Sequence, residues 1–122
     1  MHELSIATQI VETLETELSS TPGRIDSVQV DVGVLSGVVP DALAFAWDAA
    51  RSGTRLAEAS LRIREIDVVV HCPACGTDHE LPGIDRLRCP VCGTSTPEIV
   101  AGRELHIRSV DVSEPGSSPT EP

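Results

Sequence analysis

Two stretches of the chain repeat their apolar residues every three or four positions, which is the spacing of one face of a helix. The stretches cover residues 4–19 and 40–51, and both are therefore predicted to be α-helices. Pro40 suits the first turn of the second helix because its φ is already helical. The apolar positions are Leu4, Ala7, Ile10, Val11, Leu14 and Leu18 in the first helix, and Leu43, Ala46, Trp47 and Ala50 in the second.

Three other stretches alternate apolar with polar residues, a pattern typical of half-buried strands. They cover residues 25–34, 59–69 and 104–112. The order helix, strand, helix, strand, strand predicts an α/β fold with two helices on a small three-stranded mixed sheet. A zinc-ribbon-like loop is inserted before the last strand.

The inserted loop holds four cysteines in two Cys-Pro-x-Cys-Gly turns, Cys72 with Cys75 and Cys89 with Cys92. Each turn can present two thiolates ~2.3 Å from one metal ion, and the glycine lets the backbone curl around the sulfurs. Four thiolates leave no open coordination position, so the pattern predicts a structural zinc site. Two disulfides, free thiols and a rubredoxin-like iron site remain as alternatives.

The same features predict how the chain divides into domains. Residues 1–69 together with residues 99–112 are expected to form an α/β domain, which residues 70–98 interrupt as a small zinc-binding domain. Residues 113–122 contain only Ser, Pro, Glu, Gly and Thr, so they are expected to form a disordered tail.

Charge narrows the range of partners. The 122-residue chain has nine Arg, no Lys and nineteen acidic residues, for a formal charge of −10. Nucleic acid and anionic membrane are therefore poor partners, whereas cations or a basic protein surface are better ones. No apolar stretch approaches the ~20 residues of a membrane span, and no signal peptide is visible, so a cytoplasmic location is expected. No catalytic constellation is visible, so we expect no enzyme.

The first three residues, Met1, His2 and Glu3, offer a second kind of metal site. The α-amine, the amide nitrogen of His2 and its imidazole can form two fused chelate rings, and the Glu3 amide nitrogen can complete a plane. A square-planar nitrogen set suits Ni(II) or Cu(II). On its own this is a weak signal, because an early His is usually a surface residue.

Taken together, several segments resemble the HypA/HybF family of nickel metallochaperones, which act in hydrogenase maturation. The similarity covers about residues 1–112 and follows the order of the family. It rests on Met1–Ser5 at the start of a helix, Val32–Trp47, the paired cysteine motifs and Gly102–Ile107.

The resemblance implies a chaperone that binds Ni(II) at Met1, His2 and Glu3 and helps deliver it to the large subunit of a nickel–iron hydrogenase. It implies zinc ligation by the cysteines Cys72, Cys75, Cys89 and Cys92. It also implies a HypB-type GTPase as partner. Urease accessory proteins and a second copy of the chain, forming a homodimer, are further possible partners. The alternative is a zinc-ribbon protein-interaction module without a nickel role, which nickel titration would distinguish.

Overall fold

The computed structural model describes residues 3–81, 87–96 and 98–114. These residues contain two α-helices and six strands, and the two helices and the three longest strands fall close to the stretches predicted from periodicity. In chain order they are α1 (Glu3–Glu17), β1 (Arg24–Gly33), α2 (Pro40–Arg51), β2 (Ser60–Ile66), β3 (Val69–Cys72), β4 (Thr77–Glu80), β5 (Ile99–Ala101) and β6 (Leu105–Ser113).

The larger sheet has the order β2-β1-β6, and it is mixed as predicted. Strand β2 runs parallel to β1, while β6 runs antiparallel to it. Two parallel neighbours need a crossover connection, and α2 supplies it. The predicted fold class, two helices on a small mixed sheet with an inserted cysteine loop, is therefore confirmed.

One face of this sheet and the two helices form the main core. The only tryptophan, Trp47, is 3% exposed, and its indole nitrogen donates a 2.9 Å hydrogen bond to the carbonyl oxygen of Ala59. Aliphatic side chains supply most of the rest because the chain has so few aromatic residues. The buried members include Ile6, Ala7, Ile10, Val11, Leu14, Ile25, Val28, Val30, Val32, Leu43 and Leu56.

The other face of the same sheet is polar. Its centre is Asp31 on β1, whose side chain is only 5% exposed. A β-bulge in β6 places Arg108 as an extra residue between Ile107 and Ser109. As a result Arg108 Nε lies 3.1 Å from Asp31 Oδ1, while the Ser109 hydroxyl donates a 2.9 Å hydrogen bond to Gln29 Oε1.

The cysteine loop forms a second sheet, β4-β3-β5, which the periodicity did not indicate. The stretch predicted as one strand over 59–69 is divided, because β2 ends at Ile66 and β3 begins at Val69. Strands β4 and β5 have only four and three residues, too few for an alternating pattern to stand out. Val68, Val70 and Leu81 form the small buried cluster beneath this sheet.

The two sheets meet where Gly33 at the end of β1 lies against Gly102. A Cβ added to Gly33 would be 2.2 Å from the carbonyl oxygen of Gly102, so only glycine fits there. The N–H of Leu35 donates to that same oxygen at 2.6 Å. This close backbone approach joins the cysteine loop to the main sheet.

The last strand reaches Ser113, which pairs with Arg24 at the far end of β1. The tail predicted over residues 113–122 therefore shares its first residue with β6. Residues 115–122 lie outside the described part of the chain.

Candidate metal centre

Two turns of the same geometry carry the four cysteines. In the first turn the N–H of Gly76 donates to the carbonyl oxygen of Cys72 at 2.8 Å, and in the second the N–H of Gly93 donates to that of Cys89 at 2.9 Å. Gly76 and Gly93 have φ values of 72° and 77°, a left-handed conformation that favours glycine. The repeated Cys-Pro-x-Cys-Gly sequence thus folds into a repeated turn.

Short β-interactions hold each turn in place. Cys72 is the last residue of β3, and the pairing of β3 with β4 closes the first turn at Thr77. The second turn is closed by an isolated antiparallel bridge between Arg88 and Ser95. The first cysteine of each pair is therefore tied to strand-like backbone at the base of its turn.

The four sulfur atoms come together at one point, all within 4.8 Å of one another. The Sγ–Sγ distance is 3.5 Å for Cys72 and Cys92, 3.7 Å for Cys75 and Cys92, and 3.9 Å for Cys75 and Cys89. Four thiolates ~2.3 Å from a tetrahedral zinc ion would be about 3.8 Å apart. The observed spacing fits that geometry and is far too long for the ~2.05 Å bond of a disulfide.

Backbone N–H groups point at the sulfurs of Cys72 and Cys89, the buried first cysteine of each pair, which we call the inner sulfurs. This is expected for a thiolate metal site. The N–H of Cys75 donates to Cys72 Sγ at 3.3 Å. The N–H groups of Val91 and Cys92 donate to Cys89 Sγ at 3.4 and 3.5 Å. Because these bonds stabilise negative charge on sulfur, the cysteine pairs are prepared to act as thiolates.

Hydrogen bonds at the cluster shift the pKa values of two of the thiols in opposite directions. Hydrogen bonds that join Cys92 to the Thr94 hydroxyl, 3.1 Å from its Sγ, and to the Thr94 backbone lower the pKa of Cys92 to about 6. Hydrogen bonding with Cys92, followed by that with Cys72, raises the pKa of Cys75 to about 12. Four sulfurs at this spacing cannot all be anionic unless a cation compensates their mutual repulsion. The donor set is therefore compatible with zinc, which binds four thiolates tetrahedrally.

The described residues around the four sulfurs add no further ligand to the group. In residues 3–81, 87–96 and 98–114, these cysteines form the only group of three or more His, Cys, Asp or Glu side chains close enough to share a metal ion. His71 precedes Cys72, but its Nδ1 lies 2.8 Å from Asp78 Oδ1 on the neighbouring strand. A site built from four thiolates alone is closed, which is the arrangement of structural zinc.

Thr94 was not singled out by the sequence reasoning. A hydroxyl residue directly after a Cys-Pro-x-Cys-Gly turn is the signal that could have pointed to it. Thr77 stands at the corresponding place in the first turn, but its hydroxyl lies 3.1 Å from His79 Nε2 instead. The two turns therefore match in backbone and differ in the hydroxyl contacts of the residue that follows.

Of the three residues of the predicted nickel site, the structure describes only Glu3. Met1 and His2 lie outside the described residues, while Glu3 is the first residue of α1. The N–H of Val39, directly before α2, donates to Glu3 Oε2 at 3.3 Å. The structure thus brings Glu3, at the start of α1, beside the start of α2, a contact that no sequence pattern indicated.

Across the described ranges, neither helix has the length and apolar composition that crossing a membrane requires. The longer of the two, α1, has 15 residues.

Comparison with known families gives one match along almost the whole chain. Residues 1–112 match the family described as hydrogenase/urease nickel incorporation, metallochaperone, HypA. A protein named hydrogenase maturation factor HypA from Roseiflexus sp. (strain RS-1) is 42% identical over 116 residues, covering 93% of this chain and 94% of the relative. A protein of the same name from Chloroflexus aggregans is 42% identical over 112 residues, covering 91% of this chain and 98% of the relative.

Solved structures support the same fold. The solution structure of the nickel metallochaperone HypA from Helicobacter pylori superposes with a TM-score of 0.65 at 22% identity, covering 93% of this chain and 99% of that one. A second structure, titled solution structure of HypA protein, gives a TM-score of 0.68 at 22% identity, with 93% and 97% covered. At this identity the likeness concerns the fold alone.

Proposed function

This chain belongs to the HypA family of nickel-incorporation metallochaperones, and on that premise we propose that it binds Ni(II) at its N-terminus and helps insert it into the large subunit of a nickel–iron hydrogenase. The observation that carries the proposal is the family match, which begins at residue 1 and so includes the Met-His-Glu start. The protein acts as a carrier and catalyses no covalent step.

In this proposal nickel is held by nitrogen atoms of Met1, His2 and Glu3. The α-amine, the His2 amide and imidazole nitrogens, and the Glu3 amide nitrogen form a square plane, the geometry that suits Ni(II). The hydrogen bond between the Glu3 carboxylate and the Val39 N–H supports a backbone rather than a side-chain role for Glu3. The same contact places Glu3, the last residue of the proposed nickel ligands, beside the start of α2.

Zinc is proposed as the metal of Cys72, Cys75, Cys89 and Cys92. The sulfur spacing and the N–H groups that face the inner sulfurs support this assignment. Because a closed four-thiolate site exchanges no ligand with a substrate, its role is structural. Zinc would hold residues 70–98 as a domain that interrupts the nickel-binding α/β domain of residues 1–69 and 99–112.

We expect the partners to be a HypB-type GTPase and the hydrogenase large subunit, with urease accessory proteins as further candidates and a homodimer as the assembly. A cytoplasmic location agrees with these partners and with thiols that stay reduced. Nickel must be passed on, so its binding should be reversible and of moderate affinity.

The decisive experiment is metal analysis and nickel titration of protein with its native N-terminus. The proposal expects one zinc and one nickel per chain, and it expects His2→Ala to weaken nickel binding by more than about 100-fold, beyond the ~10–100-fold typical of residues that only support a ligand. Zinc content should not change. An extension at the N-terminus should block nickel in the same way, because it removes the free amine.

His106→Ala is the matched control, because His106 is a half-exposed histidine on β6 that does not belong to the proposed nickel ligands. Its nickel affinity should equal that of the unmodified protein. Unchanged nickel binding by His2→Ala would refute the proposed site. Absence of any nickel binding in the native protein would instead favour the zinc-ribbon interaction module.

A further inference from the structure

Strand β6 forms an edge of the main sheet. It pairs with β1 on one side, and no strand pairs with its other side among the residues that the structure describes. An edge strand presents N–H and C=O groups that can pair with an added chain. In Leu105–Ile107, before the bulge at Arg108, β6 is regular and pairs residue by residue with Val32, Asp31 and Val30.

A groove of about 350 Å³ runs along this edge on the helix-facing side. Ile6, Ile10 and the exposed residues Gln9 and Thr13 of α1 form one wall. The other wall and the floor come from Leu105, His106 and Ile107 of β6 with Val30 of β1. Apolar side chains dominate the groove, so it suits apolar side chains of an added strand.

The opposite face of the same edge is cationic. Arg108 Nε lies 3.1 Å from Asp31 Oδ1, and Arg64 makes two hydrogen bonds to Asp31, at 3.0 and 2.9 Å. His106 Nε2 lies 3.2 Å from Asp31 Oδ2. Two guanidinium groups thus surround one carboxylate, and their side chains remain 39% and 56% exposed. The cluster keeps an excess of positive charge and N–H donors that face solvent.

We propose that Leu105–Arg108 is a docking edge for an extended segment of a partner protein in which apolar and acidic residues alternate. Such a segment adds a fourth strand to the sheet, with its backbone bonded to β6. Because successive side chains of a strand point to opposite faces, its apolar residues enter the groove beside α1 and its acidic residues face Arg108 and His106. Neither nickel nor zinc takes part in this contact.

Charge argues against a second copy of this chain as the occupant. The same segment of another copy would bring a second Arg108 against the first, and like charges opposite each other in a sheet are destabilising. The chain's own residues 115–122 do not fit either, because they contain no large apolar side chain to fill the groove. A partner segment in which apolar and acidic residues alternate fits both faces, because its apolar residues fill the groove and its acidic residues face Arg108.

A synthetic peptide provides the test. We would titrate the isotope-labelled, zinc-loaded protein with the acetylated and amidated peptide Glu-Val-Glu-Ile-Glu-Val-Glu and follow its amide resonances. The expected result is saturable binding, with shifts at Leu105–Arg108 and at Gln9 and Thr13. Hydrogen exchange of amides within Leu105–Arg108 should slow, since backbone pairing protects them.

Two control peptides separate pairing from simple charge attraction. The order Glu-Glu-Val-Ile-Val-Glu-Glu has the same composition without full alternation, and Lys in place of Glu keeps the alternation with the opposite charge. Each should bind at least about tenfold more weakly, equivalent to ~1.4 kcal/mol. Equal binding of the two acidic peptides would overturn the proposal, as would absence of binding by the alternating one.

Variants of this chain complete the test. Thr13→Trp fills the groove and should weaken peptide binding at least about tenfold. Thr8→Trp, at an exposed position of α1 that does not line the groove, should leave binding unchanged. Arg108→Gln should weaken binding, while Arg62→Gln, on the strand at the other edge, should not. Protection of Leu105–Arg108 by self-association of the protein alone would overturn the proposal in favour of a second copy.

Discussion

The β2-β1-β6 sheet packs one whole face against two helices, whereas the β4-β3-β5 sheet buries Val68, Val70 and Leu81 and lies beside four sulfur atoms. The first sheet has enough apolar area to order its own backbone. The second does not, because three buried aliphatic side chains, with Leu35, Leu87 and Ile99 partly buried against them, cannot offset the conformational entropy of a loop of this length. A metal ion bound by the cysteine cluster would take the place of a core there.

The difference extends to how each region depends on pH. In the main sheet Asp31 is stabilised as a carboxylate chiefly by the hydrogen bonds from Arg64, which lower its pKa below the usual value. In the cysteine loop the charged groups are the thiols themselves. Acid therefore weakens an ion cluster on the surface of one region and the metal ligands at the centre of the other.

Removing zinc is the largest expected perturbation and should affect the two sheets unequally. A chelator should unfold Val69–Ala101, because apparent zinc binding in small structural sites is worth about 10–16 kcal/mol and no large core replaces it. The main sheet should remain folded. Hydrogen exchange would report both regions, and fluorescence of Trp47, buried in the main core, would report the main sheet alone. If the amides of the cysteine loop stayed protected from hydrogen exchange without metal, the idea that only this region depends on a metal ion would be refuted.

Leu43→Ala should give the opposite result. Leu43 is fully buried in the main core, so its truncation should cost about 2–5 kcal/mol of unfolding free energy. Urea unfolding followed by Trp47 fluorescence would measure the loss. Zinc stoichiometry should stay at one per chain, and Ala44, exposed on the same helix, offers Ala44→Gly as a control for helix propensity alone. Loss of zinc from Leu43→Ala would show that the two regions fold as one unit.

Asp31→Asn tests the polar face. The folded-state pKa of Asp31 is lowered, so its stabilising contribution is present above the unfolded value near 4 and is lost as pH falls. At pH 7 the variant should lose about 1 kcal/mol, the typical scale of hydrogen bonds lost from partly exposed partners. Urea unfolding at pH 7 and pH 3.5 should show the difference between variant and parent shrinking in acid. If the difference in unfolding free energy were the same at both pH values, the stabilising role of the Asp31 carboxylate would be contradicted.

Thr96→Val should have the smallest effect and the opposite sign. Thr96 is fully buried in the cysteine loop, and its hydroxyl has no hydrogen-bond partner within the described residues. Replacing an unsatisfied hydroxyl with a methyl group should stabilise the loop by about 1 kcal/mol. Zinc release to a competing chelator should then require more chelator. Thr77→Val, at an exposed position of β4, should not change the chelator concentration at which half of the zinc is released.

Periodicity was sufficient for the main sheet because its strands and helices are long. Both helices and the strands β1 and β6 were predicted within a few residues, since each has one apolar face that repeats several times. The strand predicted over 59–69 ran past the end of β2 at Ile66 to the first residue of β3, because no Gly or Pro marks the break between them. Strands β4 and β5 were missed, since their pairing is imposed by the turns rather than by their own composition.

The sequence by itself determined the two cysteine turns, the fold class and the position of the family motifs. Local chemistry was enough for these features, because Cys-Pro-x-Cys-Gly specifies a turn and a repeated apolar face specifies a helix or a strand. Only the tertiary structure decided which distant groups meet: Glu3 with Val39, and Arg64 and Arg108 with Asp31. Such contacts depend on strand register, on a bulge and on the packing of α1 against the sheet. A linear pattern does not encode them because each joins residues that are neighbours only after the chain has folded.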